Sequence, residues 1–299
     1  MALKLRLGLH LGFAINRYPE AEEWSRIADE LGVKHVQFVS GLLQPDFPKE
    51  VIDNQIRKVK RALKEHNLIC EHTFTSPREN FMAHPDEHIA AYWLKWFKDF
   101  ATISRKIGAI STGCLAGIYS VKDLRERRDE IFNRTIKGWH ELARYGKKTG
   151  LRYLTWEPMS VKREMGETIS EAKRMHDALN KGSALPVKMA LDVDHGDLSS
   201  PNPNDTDPYA WIRSFGAECL FLHLKQSSAD KSGHHPFTEK WNKEGRIFPE
   251  EVIEALDDGG AKDVILFFEL GWREREPHDS NVVKELKESV NYWREYVSE

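Results

Sequence analysis

Short apolar runs alternate with longer amphipathic segments along the chain. The runs Leu5–Leu11, Lys34–Val39, Leu68–Phe74, Gly108–Cys114, Leu151–Glu157, Val187–Asp192, Glu218–Leu224 and Lys262–Glu269 have the length and composition of buried strands. Between and after them lie Glu20–Leu31, Phe47–His66, Asp86–Ile107, Val121–Thr149, Thr168–Leu179, Tyr209–Phe215, Pro249–Leu256 and Ser280–Tyr296, which repeat their apolar positions at helical spacing. Gly32 and Gly150 follow two of these segments, where a helix needs a residue that accepts positive φ. Eight strands in strict alternation with eight helices imply parallel strands joined by helical crossovers. The count of eight predicts an α/β fold, a closed (β/α)8 barrel, rather than an open doubly wound sheet. No linker rich in Pro, Gly or Ser divides the chain, so residues 1–299 are predicted as one domain.

Composition narrows the function. Of 299 residues, 40% are hydrophobic and 30% charged, which suits a soluble globular chain. No apolar run approaches the roughly 20 residues of a membrane-spanning helix, and the N-terminus lacks the pattern of a signal peptide. The net charge of −3 does not suit a nucleic-acid partner, which calls for a basic surface. Cys70, Cys114 and Cys219 are an odd set without paired spacing, so buried thiols and a cytoplasmic location are expected.

Chemistry enters at the strand tips. The run Ile265–Phe268 is wholly apolar and then delivers Glu269. Strands five, six and seven do the same with Glu157, Asp192 and His223. An ionisable group in such a place is costly unless something pairs with it, and barrel enzymes build their sites at the C-terminal ends of the strands. Three carboxylates and one imidazole on consecutive strands are a ligand set for a hard or borderline divalent ion, Mn²⁺ before Mg²⁺ or Co²⁺, with Zn²⁺ also open. His195, in Asp192-Val193-Asp194-His195, is expected to face the same mouth. Glu71 and His72 are adjacent, so one faces inward; His72 is assigned to the pocket and Glu71 to a contact between barrel and helix.

The series Glu157, Asp192, His223 and Glu269, with His195 three residues after Asp192, resembles the xylose-isomerase-like superfamily, in particular its sugar and sugar-phosphate isomerase/epimerase branch of D-tagatose 3-epimerase type. The resemblance spans the whole chain as a barrel, and its specific motifs lie within residues 151–270. It implies that the four residues bind a divalent ion, that Glu157 and Glu269 move protons on opposite faces of a ketose, and that His195 contacts a substrate oxygen. The branch carries an Arg soon after the strand-seven His; here Leu224-Lys225-Gln226-Ser227-Ser228 has none. Lys225 and Arg163, with Lys162, Lys231, His234 and His235, are instead expected around an anionic substrate group. Glu157-Pro158-Met159-Ser160 and the long strand-seven loop resemble the tetrulose-phosphate 3-epimerases, which implies exchange between D- and L-erythrulose 1-phosphate. An inosose-type dehydratase is the alternative. A barrel nuclease of the endonuclease IV type fits less well, since strand four offers no His and no Asp-x-His follows strand seven; a non-catalytic barrel conflicts with the intact ligand set. The expected partner is a small carbohydrate, phosphorylated or not, and the resemblance adds a homo-oligomer.

Overall fold

The computed structural model describes residues 2–75, 77–228, 233–275 and 278–297. Eight parallel strands close a barrel in chain order: β1 (Lys4–His10), β2 (His35–Val39), β3 (His72–Thr75), β4 (Ser111–Leu115), β5 (Tyr153–Glu157), β6 (Val187–Asp192), β7 (Cys219–Leu224) and β8 (Asp263–Phe268). Closure is made by β8 against β1, in register from Lys4 opposite Asp263 to Leu9 opposite Phe268. The predicted alternation therefore holds around the whole ring.

The departures are local. β3 begins later than predicted because residues 68–71 are extended but not in a continuous ladder. Ile69 exchanges hydrogen bonds with the Lys34 carbonyl and the Val36 amide, and the Glu71 carbonyl accepts from Ile110 and Ser111. The predicted helix 121–149 is two, Val121–Glu126 and Arg128–Thr149, parted at Arg127 with φ −139° and ψ 26°. The Arg127 amide still reaches the Asp123 carbonyl at 2.9 Å, and the Ile131 amide the Arg127 carbonyl at 3.0 Å, so the bend leaves the flanking turns bonded. The loop after β7 carries a short helix, Glu239–Glu244, that its polar sequence did not announce.

Side chains alternate across each strand, so residues two apart share the barrel axis. Phe74, Ala190, Phe221, Ile265 and Phe267 meet there as a separate apolar cluster. Gly8 belongs to this packing: a Cβ at that position would lie 2.5 Å from the Phe267 ring. The larger core fills the space between the strands and the helices, with Trp24, Trp139 and Trp293 buried in it. The aromatic cluster is the floor on which the strand tips stand. Among the described residues no helix is long and apolar enough to cross a membrane, and the three cysteines are buried and free.

At the opposite mouth, Arg6 of β1 donates to Glu71 at 2.9 Å and to Asp263 of β8 at 2.5 Å, and His35 of β2 lies 3.5 Å from Glu71. Glu71 thus ties strands together at the N-terminal end. The His35 imidazole, helped by the Arg6 guanidinium, outweighs burial and holds its carboxyl at about 2, below the ordinary 4.5. A lowered folded-state value stabilises the protein above the unfolded value and ceases to do so as pH falls through the folded one. Glu71→Gln is therefore expected to lower stability by about 1–2 kcal/mol at pH 7, part of the full linkage being lost to solvent screening. In urea titrations the gap to wild type should close as pH falls from 4.5 towards 2; a gap independent of pH would remove the ion pair as its cause.

Candidate metal centre

The strand tips converge as the period-two pattern requires. Glu157 is the last residue of β5 and Asp192 the last of β6, His223 is the penultimate residue of β7, and Glu269 directly follows β8. Each offers one ligand atom, and these atoms all lie within 4.8 Å of one another. His223 is fully buried. Its Nε2 lies 2.8 Å from Gln37 Oε1 on β2. That oxygen only accepts, so the Nε2 proton is assigned to this bond and Nδ1 is turned to the carboxylates. Nδ1 is 2.8 Å from Glu157 Oε1, 3.7 Å from Glu269 Oε2 and 4.0 Å from Asp192 Oδ2. Burial opposes a charge on His223, but Glu269 and Glu157 prevail and raise its pKa.

Lys225 lies two residues beyond His223 and so on the same face of the strand. It is fully buried, with Nζ 2.5 Å from Asp192 Oδ2 and 2.9 Å from Glu269 Oε2. Burial works against its charge, yet the two carboxylates keep its pKa above the ordinary lysine value. Burial likewise pushes Glu269 up, and the Lys225 ammonium and His223 outweigh it, so this carboxyl stays well below its usual range.

This donor set fits a divalent cation. Three carboxylates share a buried space with one ammonium, which leaves an excess of acidic groups to be met. Oxygen donors in that number, with one imidazole, are the ligands of hard and borderline ions.

Two further histidines frame the mouth. His195 donates Nδ1–H to the Pro158 carbonyl at 2.8 Å, which turns Nε2 towards Asp192 Oδ2 at 3.8 Å. Burial lowers its pKa, so the neutral ring presents an acceptor. His10 ends β1 and accepts the Gly12 amide on Nδ1 at 3.2 Å, with Nε2 3.7 Å from Glu269 Oε1. Burial pushes this imidazole down to about 3. His10 and His195 therefore present opposite polarity, one N–H and one lone pair.

The remaining predicted positions fall elsewhere. His72 points into the barrel but lies a layer below the carboxylates, its ring 5.1 Å from Phe221 and its Nδ1 2.7 Å from Ser111 Oγ. Phe74 takes the higher place, 5.2 Å from the His223 ring. The late start of β3 is the reason. Arg163 is exposed and donates to the Tyr119 carbonyl at 3.2 Å, joining the loops after β4 and β5. Lys162 is exposed, and His235 stacks on Trp241 at 3.6 Å. Lys231 lies outside the described residues. Of the basic group proposed around an anion, His234 is at the mouth, 3.8 Å from Glu269 Oε2, and Lys225 is inside the cluster. Gln37 was not foreseen at all; its signal is a polar residue alternating with Val36 and Phe38 in an otherwise buried strand.

Residues 21–296 match the family model described as xylose isomerase-like TIM barrel. The chain is 37% identical over 301 residues to D-erythrulose 1-phosphate 3-epimerase of Brucella abortus (strain 2308), covering 99% of this chain and 97% of that one. Among solved structures, a candidate xylose isomerase from Rhodospirillum rubrum ATCC 11170 superimposes with a TM-score of 0.89 at 24% identity, over 98% of this chain and 100% of the other. D-psicose 3-epimerase from Clostridium cellulolyticum H10 follows with a TM-score of 0.71 at 16% identity, over 98% and 99%. At such identities the structures speak for the fold alone. With the family model spanning nearly the full chain, the protein belongs to the xylose isomerase-like TIM barrel family.

Proposed function

We propose that the protein is a divalent-metal-dependent ketose 3-epimerase acting on a tetrulose phosphate, the exchange between D- and L-erythrulose 1-phosphate. The observation that carries this reading is the approach of two glutamates to one imidazole nitrogen, Glu157 at 2.8 Å and Glu269 at 3.7 Å from His223 Nδ1. They come from strands three places apart in the ring and so reach a substrate from different sides. The full-length relative at 37% identity supplies the substrate class.

The residues held by the ion would be Glu157, Asp192, His223 and Glu269, with Mn²⁺ the proposed metal. When bound, such an ion supplies Lewis acidity that favours the enediolate form of the substrate. One glutamate, ionised, takes the C3 proton, and the other, protonated at that point of the cycle, delivers its proton to the opposite face, which inverts the centre. Lys225 keeps a positive charge beside Asp192 and Glu269 while negative charge grows on the substrate. His195 Nε2 accepts from a substrate hydroxyl. The aromatic floor of Phe74, Phe221 and Phe267 keeps water from below.

The direct test is proton NMR of D-erythrulose 1-phosphate with Mn²⁺ in D₂O. Wild type is expected to form the L epimer and to place deuterium at C3. Glu269→Gln should cut kcat by at least about 10³-fold while circular dichroism stays native. Retained turnover in that variant would defeat the two-base scheme, and deuterium-free product would defeat proton transfer itself.

The structural place of Lys225 changes what its removal should do. Because the ammonium sits at the reacting end, Lys225→Ala is expected to lower kcat/KM by roughly 10²-fold on erythrulose 1-phosphate and on free erythrulose alike. A loss confined to the phosphorylated ketose would put the ammonium on the phosphate instead.

Gln37→Leu removes the acceptor that sets the His223 tautomer. Mn²⁺ affinity, read by titration calorimetry, should weaken roughly 10–100-fold, and unchanged affinity would deny Gln37 that role.

A further inference from the structure

His10 is the buried group at the mouth to which the reaction above gives no part. It ends β1, which follows β8 in the closed ring, so its ring stands beside Glu269. Its two nitrogens have unlike surroundings. Nδ1 accepts the Gly12 amide at 3.2 Å and caps the turn Leu11–Ala14. A nitrogen that accepts carries no proton, so in the neutral ring the proton is on Nε2. Nε2 is buried without a hydrogen-bond partner among the described residues, and Glu269 Oε1 lies 3.7 Å away. A buried, unpaired N–H is unfavourable wherever it serves nothing.

The chain is built to allow this placement. A Cβ at residue 12 would come within 2.8 Å of His10 Cε1 and Nδ1, so a glycine stands where the imidazole lies against the backbone. The ring is also packed edge-to-face on His223, with centroids 5.3 Å apart. Among the described residues, Glu269 is hydrogen-bonded at one end of its carboxylate. Its Oε2 is fixed by Lys225 at 2.9 Å, whereas Oε1 faces His10 across a gap that a movement of about 1 Å would turn into a hydrogen bond.

The geometry points to His10 as a positioning residue for Glu269: its Nε2–H sets the rotation of the carboxylate, so that Oε1 meets the substrate's C3 in one orientation. This rests on the epimerase reading. In the step concerned, the C3–H bond breaks, its electron pair forms the C2–C3 double bond, and the carbonyl π pair moves onto the C2 oxygen. An O–H bond forms on Glu269 Oε1, which accepts the His10 N–H on its other lone pair. In the reverse direction the same proton returns from Oε1 to C3, and no oxidant or reductant takes part. Glu157 is bonded to His223, whereas His10 Nε2 faces Glu269.

The test uses this asymmetry. His10→Phe keeps a ring and removes the N–H; His10→Gln can place an amide N–H where Nε2 was. With Mn²⁺ present, His10→Phe is expected to lower kcat by roughly 10–100-fold with KM within about threefold, and His10→Gln to recover most of that loss. In D₂O, deuterium wash-in to recovered substrate is then compared with conversion, starting from each epimer. From the epimer whose proton goes to Glu157, His10→Phe should raise the ratio of wash-in to conversion; from the other epimer it should lower it. Mn²⁺ affinity by calorimetry should stay within about twofold of wild type.

A fall in kcat with both ratios unchanged would give the ring a purely structural role and overturn the assignment, as would an undiminished kcat or a large loss of Mn²⁺ affinity. Wild type that neither converts nor exchanges the tetrulose phosphates would overturn the epimerase reading, and this assignment with it. Normal wild-type turnover beside an indifferent His10→Phe would overturn the assignment alone.

Discussion

Three carboxylates meet in a buried space at the mouth of this barrel, and their mutual repulsion is the constraint the rest of the site answers. Like charges about 4 Å apart cost on the order of 4 kcal/mol per pair at the effective dielectric of a protein. Lys225 offsets part of it by lying between Asp192 and Glu269. His223 contributes by facing all three acids with one nitrogen. A cation held by the same groups would offset the remainder.

Register makes that arrangement possible. On β7, Phe221, His223 and Lys225 share one face, so a single strand provides floor, ligand and counter-charge in ascending order. On β8 the same rule sets Ile265 and Phe267 beneath Glu269, and on β6 Ala190 beneath Asp192. The apolar layer keeps the polar layer from relaxing downward into water, which strengthens each electrostatic contact above it. β1 and β2 add His10 beside Glu269 and Gln37 hydrogen-bonded to His223 Nε2. The cluster thus draws on six strands.

What the sequence disclosed follows from the same physics. An ionisable residue ending an apolar run is conspicuous because burial should exclude it, so Glu157, Asp192, His223 and Glu269 could be found without structure. Barrel closure was equally open to reading, since alternation and number depend on pattern alone. Lys225, expected around an anionic substrate group, stands beside Asp192 and Glu269; a lysine just past a strand looks like loop charge, and only its parity with His223 brings it inside. His72 was set one layer too high because the ladder of β3 starts at residue 72 rather than 68, a break caused by tertiary pairing of Ile69 that no local propensity reports. Gln37 escaped notice because a polar residue within a short strand ordinarily means an exposed edge, whereas in a closed barrel it faces the axis.

The two glutamates are not equivalent, and this bears on what kind of isomerase the site can be. A single-face proton shuttle needs one base near the carbonyl carbon and gains nothing from a second carboxylate aimed at the same atoms. Here both are brought to His223 Nδ1, but each is steadied by different neighbours: Glu157 by His223 with His195 at 3.9 Å, Glu269 by Lys225 with His10 at 3.7 Å. Both acids thus have an anchor of their own, which on the proposed reaction would keep two proton-transfer directions distinct around a planar enediolate. Separate anchoring is what stereochemical inversion demands: if the carboxylates shared one support, moving either would move the other, and the face from which the proton returns would no longer be defined. The asymmetry of the neighbours is therefore the structural argument for epimerisation over simple aldose–ketose exchange.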